Sequence, residues 1–255
     1  MARLHWPQRL NAVNGPAFGV WVKIPSLMTL DILARAEVDF VVLDLEHAPL
    51  DLSWCYQAVV VGQGMGMPVL ARLPDASGRD VQRLLDCGVD GLVVPQVHGA
   101  GDAARALELM TFPPDGRRGI GANSPAGSWG MASQARYLAE AQSDVLRCVQ
   151  FETRGAFADL DAILDLRQLN AAFLGPADLA LASGLSSGDP RLEQLADRLL
   201  AATSRRGLLC GTAVGGALAG RAAAARGFAF VLVGHDAGLL GQAAADLVQS
   251  ARRPA

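Results

Sequence analysis

Two short runs near the middle of the chain carry its most chemically capable side chains: Gln150-Phe-Glu152-Thr-Arg154 and Gly175-Pro176-Ala177-Asp178-Leu179. Each follows an apolar stretch that reads as a buried strand, Val145-Leu-Arg-Cys-Val149 before the first and Ala171-Ala-Phe-Leu174 before the second. Each precedes a helix-like segment. Carboxylates at the carboxyl ends of successive parallel strands converge on one point, and in an α/β barrel that point is where chemistry happens. Glu152 and Asp178, with waters and a chelating substrate, would form an oxygen site for a hard divalent cation. The plainer alternatives are a salt bridge from Glu152 to Arg154 and a helix-terminal role for Asp178.

Other polar residues fall where further strands should finish. These are Trp21 and Lys23, then Asp44-Leu-Glu46-His47, then Arg72. An arginine at the end of a buried strand stays charged and must find an anion: a substrate carboxylate, an enolate oxygen or Glu46. His47 follows two acids within four residues and reads as a general base, oriented by Asp44 or by a carboxylate from elsewhere. His5, His98 and His235 lack such company, although His235 lies just past the eighth strand. Gly175-Pro176-Ala177-Asp178 starts a helix, so the N–H groups of Ala177 and Asp178 offer a small anion site for a substrate carboxylate.

Positioning these residues requires an alternating scaffold. Apolar runs predict strands at about 18–23, 39–44, 68–72, 91–95, 145–151, 171–175, 208–212 and 229–233. Amphipathic segments between them predict helices at about 28–36, 51–64, 78–86, 101–110, 155–164, 191–206, 216–226 and 237–251. Eight strands alternating with eight helices imply an α/β fold, a (β/α)8 TIM barrel, formed by residues 1–255 as a single domain. No G-x-G-x-x-G follows the first strand, which removes support for a dinucleotide-binding sheet. The Gly- and Pro-rich stretch 111–130 interrupts the rhythm and reads as a loop able to cross an active site or a subunit boundary.

Composition narrows the function classes. The chain has 255 residues, 51% hydrophobic and 18% charged, which is enough for one large core. A net charge of -3 argues against a nucleic-acid partner. No apolar signal core stands at the N-terminus and no run is long enough to span a membrane, so a cytoplasmic location is expected. Cys55, Cys87, Cys148 and Cys210 are widely spaced and read as buried free thiols. Lys23 is the one lysine; all other basic residues are arginine.

Taken together, Asp44-x-Glu46-His47-Ala-Pro, Arg72, Gln150-x-Glu152-Thr-Arg and Gly175-Pro-Ala-Asp178-Leu resemble the HpcH/HpaI class II pyruvate aldolases, in the family's order and roughly its spacing from about Gly19 to the last helix. The resemblance implies a phosphoenolpyruvate/pyruvate-type barrel that cleaves a 4-hydroxy-2-oxo acid to pyruvate and an aldehyde. It implies that Glu152 and Asp178 hold a divalent metal such as Mg2+, Mn2+ or Co2+. It also implies that Arg72 stabilises the enolate, that His47 acts as base, and that Asp86 raises the basicity of that histidine. Gln150, the backbone around Gly175, Pro176 and Ala177, and Trp21 match substrate contacts, and the implied assembly is a homo-hexamer, a trimer of dimers. Departures fall on the aldehyde half: loop 122–130 lacks an arginine found in the type member, Lys23 is atypical, and strand 7 ends in Gly211-Thr-Ala-Val-Gly-Gly216.

Four other readings compete. A Schiff-base aldolase needs a lysine nucleophile, and only Lys23 is available. A phosphate-sugar isomerase would use Gly215-Gly216 as a phosphate cradle, but Asp236 beside it opposes an anion. A CoA-thioester lyase would share the metal and arginine but needs CoA-handling segments that are not evident. A barrel without catalytic function has no use for six such side chains at one end.

Overall fold

The structure, a computed structural model, describes residues 15–253. Eight parallel strands close into a barrel in sequence order: β1 (Ala17–Val22), β2 (Phe40–Asp44), β3 (Val69–Arg72), β4 (Gly91–Val94), β5 (Leu146–Phe151), β6 (Ala171–Leu174), β7 (Leu209–Ala213) and β8 (Phe230–His235). The surrounding helices are α1 (Leu27–Arg35), α2 (Leu52–Gly64), α3 (Val81–Cys87), α4 (Ala100–Met110), α5 (Gln134–Ser143), α6 (Arg154–Ala158), α7 (Leu160–Leu164), α8 (Pro176–Ser183), α9 (Pro190–Arg205), α10 (Ala217–Arg226) and α11 (Asp236–Ala251). The TIM barrel expected from the alternation is therefore present. The helix expected over 155–164 is broken at Asp159 into α6 and α7. One helix was not expected, α5, which closes the 111–130 excursion, whereas α8 begins at Pro176, where the Gly175-Pro176-Ala177-Asp178 run implied a helix start.

Alternation along each strand decides what faces inward. Phe40 and Val42, Leu70, Leu146 and Cys148, Phe173, and Phe230 and Leu232 fill the barrel interior, while Val41, Leu43, Ala71, Val149 and Val231 face the helices. The interior rings meet edge-on, with centroids 6.2 Å apart for Phe40 and Phe230 and 5.9 Å apart for Trp21 and Phe173. Two glycines make room for them. A Cβ at Gly19 would lie 2.4 Å from the Phe40 ring, and one at Gly211 would lie 2.2 Å from the Phe230 ring. Where the strands enter, polar residues stitch neighbours together: Asp39 accepts from the Phe18 N–H, Asp90 from the Val69 N–H and Asn170 from the Arg147 N–H. Burial raises the thiols of Cys148, Cys55 and Cys210, the last two to about 12, so these side chains act as small apolar groups.

Close ring–glycine packing generates a stability prediction. Gly211→Ala should destabilise the protein by about 1–3 kcal/mol through overpacking. Combining it with Phe230→Leu should cost less than the sum of the two single changes, because both occupy one space. Urea denaturation of the three variants measures this, and strict additivity would show that the glycine is not needed for the ring.

Candidate active site

Inward alternation continues past the hydrophobic layer and delivers the polar residues. On β2 the inward series runs Phe40, Val42, Asp44, and on β3 it runs Leu70, Arg72. On β5 it runs Leu146, Cys148, Gln150 and then Glu152, one residue past the strand. The same parity that packs the core thus aims these side chains at the carboxyl end of the barrel.

Asp44 is fully buried and accepts from four donors. Its Oδ1 takes Arg72 Nη2 at 2.8 Å, Arg72 Nε at 3.1 Å and the backbone N–H of His47 at 3.1 Å. Its Oδ2 takes Lys23 Nζ. Burial alone would raise this carboxyl, but the Arg72 and Lys23 charges outweigh it and hold the group below the usual carboxylate range. The other edge of Arg72 meets Glu46: Nη1 lies 3.0 Å from Oε2, outside hydrogen-bond geometry. Trp21 closes the top, with its ring centroid 4.3 Å from the Arg72 guanidinium carbon. Asp44 therefore binds the backbone of His47 and not its ring. The carboxylate near that ring is Glu46, with Oε2 3.8 Å from Nε2, and the ring itself is about half exposed.

Glu152 is 1% exposed. Its Oε1 accepts from the backbone N–H of Gln96 at 2.6 Å, and its Oε2 accepts from the Gln150 amide. Burial raises its carboxyl, the negative charges of Glu46 and Asp178 add to that, and the two hydrogen bonds oppose it; the outcome is about 7. Gly175 packs against the same carboxylate. A Cβ there would stand 2.8 Å from Glu152 Oε2 and 2.9 Å from Gln150 Nε2, so a side chain is excluded. Pro176 then opens α8, placing Ala177 and Asp178 in its first turn.

One cavity of about 920 Å3 is lined by Trp21, His47, Arg72, Gln150 and the Gly175–Asp178 segment, with Lys23 and His235 also in its wall. Among the described residues, no group of three or more His, Cys, Asp or Glu side chains is close enough to hold a metal ion alone. Glu152 and Asp178 nevertheless suit one: both are hard oxygen donors, and the charge of Asp178 bears on a buried carboxyl that burial already destabilises as an anion. A cation there would take its remaining ligands from substrate and water.

Asp86 is elsewhere. It sits near the end of α3, just before the Gly88 turn into β4, at the strand-entry end of the barrel. There it accepts from Arg118 Nη2 at 3.3 Å, and Arg118 lies over Phe112 and donates to the Tyr137 hydroxyl. The 111–130 loop folds onto the same place, with the Ala126 N–H donating to the Asp86 carbonyl. Within one chain, neither the loop nor Asp86 joins His47.

Comparison with known proteins accords with this geometry. A profile described as HpcH/HpaI aldolase/citrate lyase matches residues 17–243. The chain belongs to that family. It is accordingly a carbon–carbon lyase of the aldolase type. It is 30% identical over 245 residues to a hydroxypyruvate/pyruvate aldolase of Rhizorhabdus wittichii, covering 93% of this chain and 94% of that one. A 4-hydroxy-2-oxovalerate aldolase of Rhodococcus jostii is 35% identical over 188 residues, covering 73% and 71%. A solved HpcH/HpaI aldolase/citrate lyase family protein from Burkholderia cenocepacia superposes with a TM-score of 0.88 at 30% identity, covering 96% and 98%.

Gln96 is the residue of this HpcH/HpaI chain that sequence reasoning missed. It follows β4 in a left-handed backbone conformation, φ 54°, and links two acids: its N–H binds Glu152 and its side chain donates to Glu46 Oε1 at 3.1 Å. Nothing local in Val94-Pro-Gln-Val-His98 signals that role; only the fold brings Glu46 and Glu152 to either side of it.

The raised carboxyl of Glu152 predicts a pH effect on the metal-free protein. Its folded value of about 7 exceeds the unfolded value near 4.5, so the folded state binds the extra proton between those limits. Stability should therefore fall as pH rises from about 4.5 to 7, by on the order of 3 kcal/mol from this group. Denaturant melts of chelated protein at pH 5.5 and 8 should show the loss, and Glu152→Gln should flatten it. An identical pH dependence in the variant would contradict the assignment.

Proposed function

We propose that this chain is a class II aldolase that reversibly cleaves a 4-hydroxy-2-oxo acid to pyruvate and an aldehyde. The observation that carries the proposal is the Arg72 guanidinium, clamped by Asp44 and Glu46 beneath Trp21 and facing a cavity that also contains Asp178 and the start of α8. A divalent cation held by Glu152 and Asp178 would supply Lewis-acid polarisation of the 2-oxo group. The substrate carboxylate would meet the N–H groups at the start of α8, beside Ala177. The His47 ring, open to the cavity, would accept the proton of the C4 hydroxyl. As the C3–C4 bond breaks, C4 leaves as the aldehyde and the bonding pair passes into the pyruvate enolate. Arg72 would then oppose the charge on the enolate oxygen, using N–H groups that Asp44 and Glu46 leave over. C3 finally takes up a proton to give pyruvate.

Lys23 donates its ammonium to Asp44, so it is held in an ion pair and not presented as a free amine, which disfavours the Schiff-base route. The family description also covers citrate lyases, which keeps a CoA-thioester lyase as the second reading. Pyruvate release from a panel of 4-hydroxy-2-oxo acids, set against cleavage of a citramalyl or malyl thioester, separates the two.

We also propose that residues 1–255 act as one barrel unit in the cytoplasm and assemble as a hexamer. No helix among the described residues is long and apolar enough to cross a membrane. Support for assembly comes from α11, which carries exposed Leu239, Leu240, Leu247 and Val248, and from exposed Met28, Ile32 and Leu218 on α1 and α10.

Two predictions follow from this site and surface. Arg72→Ala should lower cleavage by roughly two to three orders of magnitude, with Arg72→Lys a poor rescue, and excess chelator should abolish turnover in the wild type. Full activity in chelator, or in Arg72→Lys, would overturn the mechanism. Light scattering should return a mass near six copies of the 26.6 kDa chain, and a strict monomer would refute the assembly.

A further inference from the structure

Glu46 is a buried acid whose two oxygens meet unlike partners. Its side chain is 7% exposed, and Oε2 stands 3.0 Å from Arg72 Nη1 and 3.8 Å from His47 Nε2. Neither contact has hydrogen-bond geometry. Among the described residues, the hydrogen bond to this carboxylate comes from Gln96, whose Nε2 donates to Oε1 at 3.1 Å. That bond matters because the terminal torsion of a glutamate is soft, and a donor on one oxygen sets the direction of the other. With Oε1 tied to Gln96, Oε2 is left between the guanidinium and the imidazole.

The backbone that carries this amide is both strained and fixed. Gln96 has φ 54°, a left-handed conformation that the chain meets mainly with glycine, as at Gly66, Gly78 and Gly88. A glycine would adopt this φ more easily, so the glutamine side chain is kept against local stability. The residue is exposed and fills no core position. Its backbone is fixed by neighbours. The Gln96 N–H binds Glu152 Oε1 at 2.6 Å, and the Thr153 hydroxyl donates to the Val97 carbonyl at 2.6 Å. Gly155 leaves room for the His98 carbonyl, which a Cβ there would approach to 2.1 Å. The tail of β4 is thus pinned to the tail of β5 through groups other than the Gln96 side chain, and that amide has a separate task.

We propose that Gln96 is a positioning residue for the aldol reaction, acting through Glu46 on Arg72 and His47. This rests on the aldolase reading above and adds a residue to it. Asp44 grips Arg72 at Nε and Nη2, and Glu46 Oε2 meets the remaining Nη1 edge. Held at both edges, the guanidinium is already oriented when charge develops on the enolate oxygen, so no reorientation is needed at that moment. The same Oε2 is the side-chain oxygen beside the half-exposed His47 ring. A neutral amide suits the task. It fixes Glu46 without neutralising the anion that Arg72 faces, whereas a cationic side chain at 96 would compete with Arg72 for that carboxylate.

The test compares Gln96→Gly and Gln96→Glu with the wild type in cleavage of a 4-hydroxy-2-oxo acid, with kcat and KM measured separately and denaturant midpoints alongside. Gln96→Gly should lower kcat by about 10-fold, the scale of one lost hydrogen bond to a charged acceptor, with KM nearly unchanged and no loss of midpoint. Gln96→Glu keeps the length and shape of the side chain but replaces the donor by an acid, so it should be at least as slow as Gln96→Gly. In a Glu46→Ala background, Gln96→Gly should cost less than about 2-fold more, because its effect runs through that carboxylate. An unchanged kcat in Gln96→Gly overturns the proposal. So does a Gln96→Glu protein as fast as the wild type, since side-chain shape would then suffice, and so does an equal loss from Gln96→Gly in both backgrounds. A Gln96→Gly midpoint that falls along with the rate marks a scaffold role and overturns it too. Cleavage indifferent to residue 96 defeats only the Gln96 assignment. A wild type that neither cleaves any acid of the panel nor exchanges pyruvate methyl protons with deuterated water defeats the aldolase reading itself.

Discussion

The site depends on one buried carboxylate. Asp44 has no exposed surface, and an isolated anion there would be prohibitively costly. It is tolerated because Arg72, Lys23 and the His47 backbone surround it. Each partner is in turn fixed by the bond. Arg72 is held so that its other edge reaches Glu46 and its face lies against Trp21, Lys23 is drawn to the wall between β1 and β2, and the turn carrying His47 is closed onto the strand. Without the anion, Lys23 would lose its counter-charge and Arg72 would keep only Glu46, so the geometry of three functional side chains hangs on a fourth that never meets solvent.

A division of labour runs along the barrel axis. At the strand-entry end, Asp39, Asp90 and Asn170 spend their side chains on the backbone of neighbouring strands, holding register. At the other end the polar side chains bind mostly one another and leave donors and acceptors facing a cavity. Between the two lies a layer of aromatic rings, Phe40, Phe173 and Phe230, which shuts the interior to water and gives the upper residues a low-dielectric floor. That floor is one reason burial raises the Glu152 carboxyl so far.

Part of the outer surface of the single chain is apolar and uncovered. Helix α11 leaves most of its length in solvent, and the excursion 111–130 turns away from this chain's own cavity to lie beside Asp86. Both place substantial apolar or functional residues on outer surfaces, including Trp129 at 60% exposed. Surfaces of this kind suit the assembly proposed above, so the chemistry of the carboxyl-end cavity and the packing of the outer layer are two separate tasks in the same fold.

Much was legible in the residues alone. Continuous apolar runs such as Val41-Val-Leu mark strands buried on both faces, and their alternation with helical segments determines the barrel, because few other folds use that rhythm. Local motifs were enough for the family, since Asp44-x-Glu46-His47 and Gly175-Pro-Ala-Asp178 lie on single turns whose spacing is sequence-local. What sequence could not decide were contacts between distant segments. It could not say that Asp44 binds the His47 backbone in place of its ring, that Gln96 bridges Glu46 and Glu152, or that Trp21 lies in register with His235. It placed Asp86 near a site that, within one chain, lies at the far end of the barrel. Side-chain parity along a strand is written in the sequence. Which partner each inward side chain meets depends on how eight strands tilt and close, and only the tertiary structure settles that.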